Sequence, residues 1–74
     1  MFWLDALMKD FNITTRYELS KKTGIGQTSL SAIYNRKTPT GKVKFDMIRA
    51  LASSFELSLD ELNAKLVEYE KNEA

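Results

Sequence analysis

Gln27, Thr28, Ser31 and Asn35 are uncharged hydrogen-bonding side chains set within nine residues at helical spacing. At about 100° per residue they share one side of a helix, away from Leu30 and Ile33. A face that is only solvated more often carries Lys and Glu, and this one carries neither. Glutamine can pair with both N6 and N7 of adenine, and Ser or Thr can bond to a base edge or touch a thymine methyl. Such a row is suited to reversible, base-selective hydrogen bonding. The plainer alternative is an ordinary polar surface on a helical bundle.

Arg36, Lys37, Lys42 and Lys44 follow within nine residues, with no acid between them. Cations beside a base-reading helix would meet phosphates, which fix register and make affinity fall with salt. Arg16 is a further candidate, at a helix start where backbone amides already attract anions. A solvated, flexible connector is the other reading of the 36–44 segment. The net charge of +1 conceals this polarity: residues 1–15 sum to −1, residues 16–55 to +6 and residues 56–74 to −4. A basic middle points to a polyanionic partner.

Catalysis finds little support. Histidine and cysteine are both absent, which removes the usual general base, thiol nucleophile and metal ligands. No cofactor or metal is expected, and Gly24-Ile25-Gly26 is too short for a phosphate-cradling loop. The lack of cysteine fits a reducing cytoplasm. No apolar run approaches membrane-spanning length, and Asp5 follows Met1-Phe2-Trp3-Leu4 at once, so no signal peptide is expected.

The elements that must position these residues are predicted to be helices. Seventy-four residues allow one small domain, spanning 1–74. Leu4, Leu7, Met8 and Phe11 mark a first helix over about 2–11, which Asn12, Ile13 and Thr14 break. Thr15-Arg16-Tyr17-Glu18 has the form of a capping box, opening a second helix that stops at Gly24. Gly26 is an acceptable N-cap for a third, Gln27 to about Asn35. The stretch 36–43 holds the only proline and reads as a loop. Phe45, Ile48, Leu51, Ala52 and Phe55 trace a fourth helix. Ser58-Leu59-Asp60-Glu61 is a second capping box, with Leu57 and Leu62 at the positions of a hydrophobic staple. The fifth helix runs from Leu59 to about Lys71, and Asn72-Glu73-Ala74 is expected to fray.

Two short helices joined by a Gly-containing turn, with Ser20 small at their crossing, form a helix-turn-helix over 15–35. Residues 15–62 resemble the lambda-repressor/Cro (XRE) helix-turn-helix family. The resemblance is carried by Gly24-Ile25-Gly26-Gln27-Thr28-Ser29-Leu30-Ser31-Ala32-Ile33-Tyr34-Asn35 and by Leu51-Ala52 with Leu57-Ser58-Leu59-Asp60-Glu61-Leu62. It implies an all-α fold of five helices and a small prokaryotic or phage transcriptional regulator, expected to be a repressor. It further implies a homodimer on a palindromic operator in double-stranded DNA, base contacts from Gln27, Thr28 and Ser31, and Asn35 near a phosphate. Three positions depart from the family pattern: Arg16 replaces the usual glutamine, Arg36 replaces the usual glycine after the third helix, and the next loop is longer.

The fifth helix, 59–71, is a candidate dimerisation element. Its Leu62, Leu66 and Tyr69 belong to a seam that covers the domain's own core at one end and could pack on a twin at the other. Tyr17 and Tyr34 read as packing residues. For Phe2 and Trp3, core packing of at least one competes with an aromatic patch for a partner. On the second view the chain is a protein-interaction module, an antitoxin or anti-repressor, using Phe2, Trp3 and the distal fifth helix.

Overall fold

The computed structural model describes residues 1–73. Five α-helices follow one another: α1 Trp3–Asp10, α2 Arg16–Thr23, α3 Gln27–Arg36, α4 Phe45–Ser54 and α5 Leu59–Lys71. A single 3-10 turn, Thr40–Lys42, lies between α3 and α4, and no strand occurs among the described residues. The molecule is nearly isometric, 27 × 26 × 23 Å.

α2 buries one side chain, Leu19, so local bonds must define its ends. The Glu18 amide donates to the Thr15 hydroxyl at 3.1 Å, as the capping pattern requires. The Glu18 carboxylate reaches one residue further back than expected, to the Thr14 amide at 2.8 Å and the Thr14 hydroxyl at 3.2 Å. Gly24 closes the helix at φ 78°, where a side chain would strain the backbone. The Ser20 hydroxyl donates to the Ile25 carbonyl at 2.6 Å and locks the turn into α3. At α5 the capping box is complete: the Glu61 amide donates to Ser58 Oγ at 3.0 Å and the Ser58 amide to the Glu61 carboxylate at 2.9 Å.

Three other helices end in Schellman turns on non-glycine residues. Asn12, Lys37 and Glu56 have φ of 57°, 51° and 57°. After each, the next amide donates back across the turn: Ile13 to Met8, Thr38 to Ile33 and Leu57 to Ala52. α3 therefore extends to Arg36, and Lys37 occupies the left-handed position where a glycine was looked for at 36.

Each helix turns its apolar side inward. Leu4 and Leu7 of α1, Leu19, Leu30, Leu51 and Leu62 are almost wholly buried. α2 packs on α3 and α4, and α5 packs on α1 and α4, which leaves the outer side of α3 uncovered. Trp3 is 1% exposed. Phe45 departs from its expected core role and is 60% exposed, because it starts α4 and projects beside Arg49, whose Cζ lies 5.9 Å from its ring centre. Leu59, likewise the first residue of its helix, is also exposed. Tyr17 is exposed rather than packed, with Lys21 Nζ 5.4 Å from its ring.

Asn72 and Glu73, expected to fray, follow the last residue of α5 and each makes hydrogen bonds. The Glu73 carboxylate accepts the Trp3 amide at 2.7 Å, and the Asn72 amide closes the last turn onto Glu68 and Tyr69. Ala74, the rest of that expectation, lies outside the described residues.

Candidate nucleic-acid interface

Gln27, Thr28 and Asn35 are exposed and Ser31 is half-buried. They form an uncharged ridge along α3, held up from beneath by Leu30 and Ile33. Gly26 gives α3 no side-chain cap, so its first amides are left open at the end where Gln27 stands.

The helical wheel puts Tyr34 on one flank of this ridge and Ser29, Ala32 and Arg36 on the other. On the Tyr34 side, Arg16 Cζ lies 4.3 Å and Lys37 Nζ 3.9 Å from the ring centre. Lys37 also approaches the Phe2 ring at 4.9 Å, and Phe2 meets Tyr34 edge to face with centroids 6.0 Å apart. Arg16, from the start of α2, and Lys37, from the end of α3, are thus gathered by one aromatic side chain. Cation–π contact restrains both while leaving Lys37 exposed.

On the other flank a groove of about 610 Å³ runs between α3, the 3-10 turn and α4. Arg36, Lys42 and Lys44 border it, as do Ser29 and Ala32 of α3, and Ile33, Val43 and Met47 contribute its apolar part. Asp46, in the first turn of α4, is the acid beside these cations.

The basic segment between α3 and α4 is braced at two points. The indole N–H of Trp3 donates to the Thr38 carbonyl at 2.8 Å. The Glu70 carboxylate accepts the Thr40 amide at 2.9 Å and the Thr40 hydroxyl at 2.5 Å. These braces join residues 35 and 30 positions apart. No local pattern announces them. Trp3 off the main apolar side of α1 is the one sign in the sequence, with core packing its first reading and a partner surface the alternative.

The proposed dimer seam needs correction. Leu62 is wholly buried and Leu66 nearly so, both in the chain's own core. Tyr69 is half-buried, and its hydroxyl donates to Asp10 of α1. Burial and the Asp10 carboxylate push the Tyr69 phenol well above its ordinary value. The seam is spent on α1 and α4 because so short a chain needs most of its apolar side chains for one core. Burial of Trp3 likewise removes it from any partner-binding aromatic patch, leaving Phe2 packed on Tyr34.

The Cro/C1-type HTH DNA-binding domain matches this chain over residues 4–64. The chain belongs to that family. No curated protein and no solved structure matches it. As a Cro/C1-type domain it is a DNA-binding module, and the matched stretch carries the whole turn and α3. The anchoring ends of both braces, Trp3 and Glu70, fall outside the matched stretch. Among the described residues no group of His, Cys, Asp or Glu could hold a metal ion, and no helix is long and apolar enough to cross a membrane.

Proposed function

We propose that this Cro/C1-type domain is a sequence-specific transcriptional repressor that lays α3 in the major groove of a palindromic site. The observation that carries this reading is the pair of cationic flanks on either side of an uncharged ridge. A major groove is about 12 Å wide and bounded by two phosphate ridges. Arg16 and Lys37 suit one ridge, and Arg36, Lys42 and Lys44 the other. Gln27, Thr28 and Ser31 then face base edges, and Asn35 lies near a phosphate. Phosphate contacts supply most of the affinity and the ridge supplies the choice of sequence.

Two copies on one duplex would place their α3 helices about 34 Å apart, one turn of DNA. With Leu62 and Leu66 taken by the core, the contact between copies falls on the outer side of α5. Leu59 and Val67 are exposed there, separated by two turns of the helix. The deciding experiment is selection of bound sequences from a random duplex pool by the purified chain. A palindromic consensus with half-sites one turn apart supports the reading. Recovery of no consensus at low salt overturns sequence-specific binding, and a single unrepeated half-site overturns the dimer.

A further inference from the structure

Glu70 sits in the acidic C-terminal part of the chain, yet both of its carboxylate oxygens are committed to the basic loop. Oε2 accepts the Thr40 amide at 2.9 Å and Oε1 the Thr40 hydroxyl at 2.5 Å. We propose that Glu70 is a positioning residue for DNA binding: through Thr40 it fixes the turn that presents Lys42 and Lys44 to the duplex. The role rests on the reading above, in which this flank meets phosphates.

Two bonds from one carboxylate, one of them to the backbone, fix the orientation of Thr40 as well as its position. Thr40 opens the 3-10 turn. The Lys42 amide donates to Pro39 at 3.0 Å and the Val43 amide to Thr40 at 3.2 Å, so the anchor carries to Lys42 within two residues. Glu70 and Thr40 are half-buried, whereas Lys42 and Lys44 are exposed. The brace is therefore shielded from water and counterions better than the cations it presents. Trp3 holds the same loop at Thr38, two residues upstream. Glu70 lies beyond residue 64, where the family match ends. It serves the segment that the family resemblance marks as longer than usual.

A carboxylate near a DNA-binding surface ordinarily opposes binding, so its removal should tighten the complex. Positioning predicts the opposite sign. The test measures affinity of the full chain for its selected duplex across a salt series, for the wild type, Glu70→Gln, Thr40→Val and Asp60→Asn. Amide exchange of each free protein reports on the loop, and thermal unfolding verifies that each variant is folded at the titration temperature. Glu70→Gln should bind roughly three- to tenfold more weakly, with a salt slope shallower by about 0.9, one phosphate contact. The Thr40 and Lys42 amides should exchange faster. Thr40→Val changes no charge and should move affinity the same way by less. Asp60→Asn, an equal charge change at an exposed position on the first turn of α5, should bind as the wild type does or slightly tighter. If Glu70→Gln follows Asp60→Asn in affinity and slope, the positioning role is overturned, even where exchange accelerates. A wild-type chain showing no salt-dependent duplex binding overturns the DNA reading itself, which its own titration reveals without any variant.

Discussion

Lys37 holds its ammonium 3.9 Å from the centre of the Tyr34 ring while its backbone sits in the left-handed region at φ 51°. The strain and the stacking belong to one residue, and substitution can separate them. Lys37→Gly relieves a left-handed cost of about 1–2 kcal/mol but loses a cation–π contact of about 0.5–1 kcal/mol. Lys37→Ala keeps the strain and loses the contact. In chemical denaturation, Lys37→Gly should be more stable than Lys37→Ala by about 1 kcal/mol. Both should bind DNA with the same weakened affinity and a salt slope shallower by about 0.9. A stability order of Ala above Gly would show that position 37 carries no left-handed strain.

Gln27→Ala should separate choice of sequence from general attraction. It removes no charge and leaves the core untouched, because Gln27 is exposed on the first turn of α3. The loss on the selected site should be about 1–3 kcal/mol, with one base position relaxed and binding to random duplex unchanged. Equal losses on both duplexes would remove Gln27 from the base-reading set.

Trp3→Phe should loosen the exit of α3 from a distance. The ring is buried, and its N–H is the donor to the Thr38 carbonyl. Loss of that donor and of ring volume should cost about 1–3 kcal/mol. For a domain of this size that lowers the melting temperature by roughly 4–8 °C per kcal/mol. A melting temperature equal to the wild type's would mean the indole bond contributes nothing.

The Tyr69 phenol gives the fold an alkaline limit. Burial first, and then its bond to Asp10, raise it above the ordinary value of 10.0. A raised folded-state value means that its contribution is complete below the unfolded value and disappears as pH rises through the folded one. Unfolding midpoints should therefore fall above about pH 10 in the wild type, while Tyr69→Phe lacks this component. Parallel alkaline profiles for the two proteins would exclude Tyr69 as its source.

Val67 is 56% exposed on α5, so Val67→Lys should leave the monomer folded. If the outer side of α5 joins two copies, sedimentation should show a weakened dimer and the two-site duplex should be bound less cooperatively. An unchanged dimer would place the contact elsewhere on the surface.

The parts of this fold that were readable in the sequence are those that local physics determines. Ser58 and Glu61 satisfy each other's amides within four residues, and Gly24 supplies the left-handed turn, so both boundaries were visible. The ridge of Gln27, Thr28, Ser31 and Asn35 followed from helical period alone. The apolar period also located the ends of α1, α3 and α4 closely, but not their left-handed turns, because Asn12, Lys37 and Glu56 adopt positive φ without being glycine. Phe45 and Leu59 match the apolar period of their helices, yet each is the first residue, where neighbouring helices do not cover it. The ties from Trp3 to Thr38 and from Glu70 to Thr40 depend on how α1 and α5 cross the loop. Pair spacing cannot supply that. The gathering of Arg16 and Lys37 on Tyr34 was hidden for the same reason, although each residue had been singled out or noted separately.

An extended loop commonly reduces affinity, because its freedom must be surrendered when a ligand arrives. Here the indole at Thr38 and the carboxylate at Thr40 grip the middle of the loop and settle part of that loss during folding, before any duplex is met. On the proposed reading, the cations on either side of this braced segment, Arg36 and Lys37 before it and Lys42 and Lys44 after it, engage by docking rather than by ordering. The rate of capture would then be a matter of long-range electrostatic steering, and a carboxylate on the last turn of a helix remote from the bases would set how tightly the duplex is held.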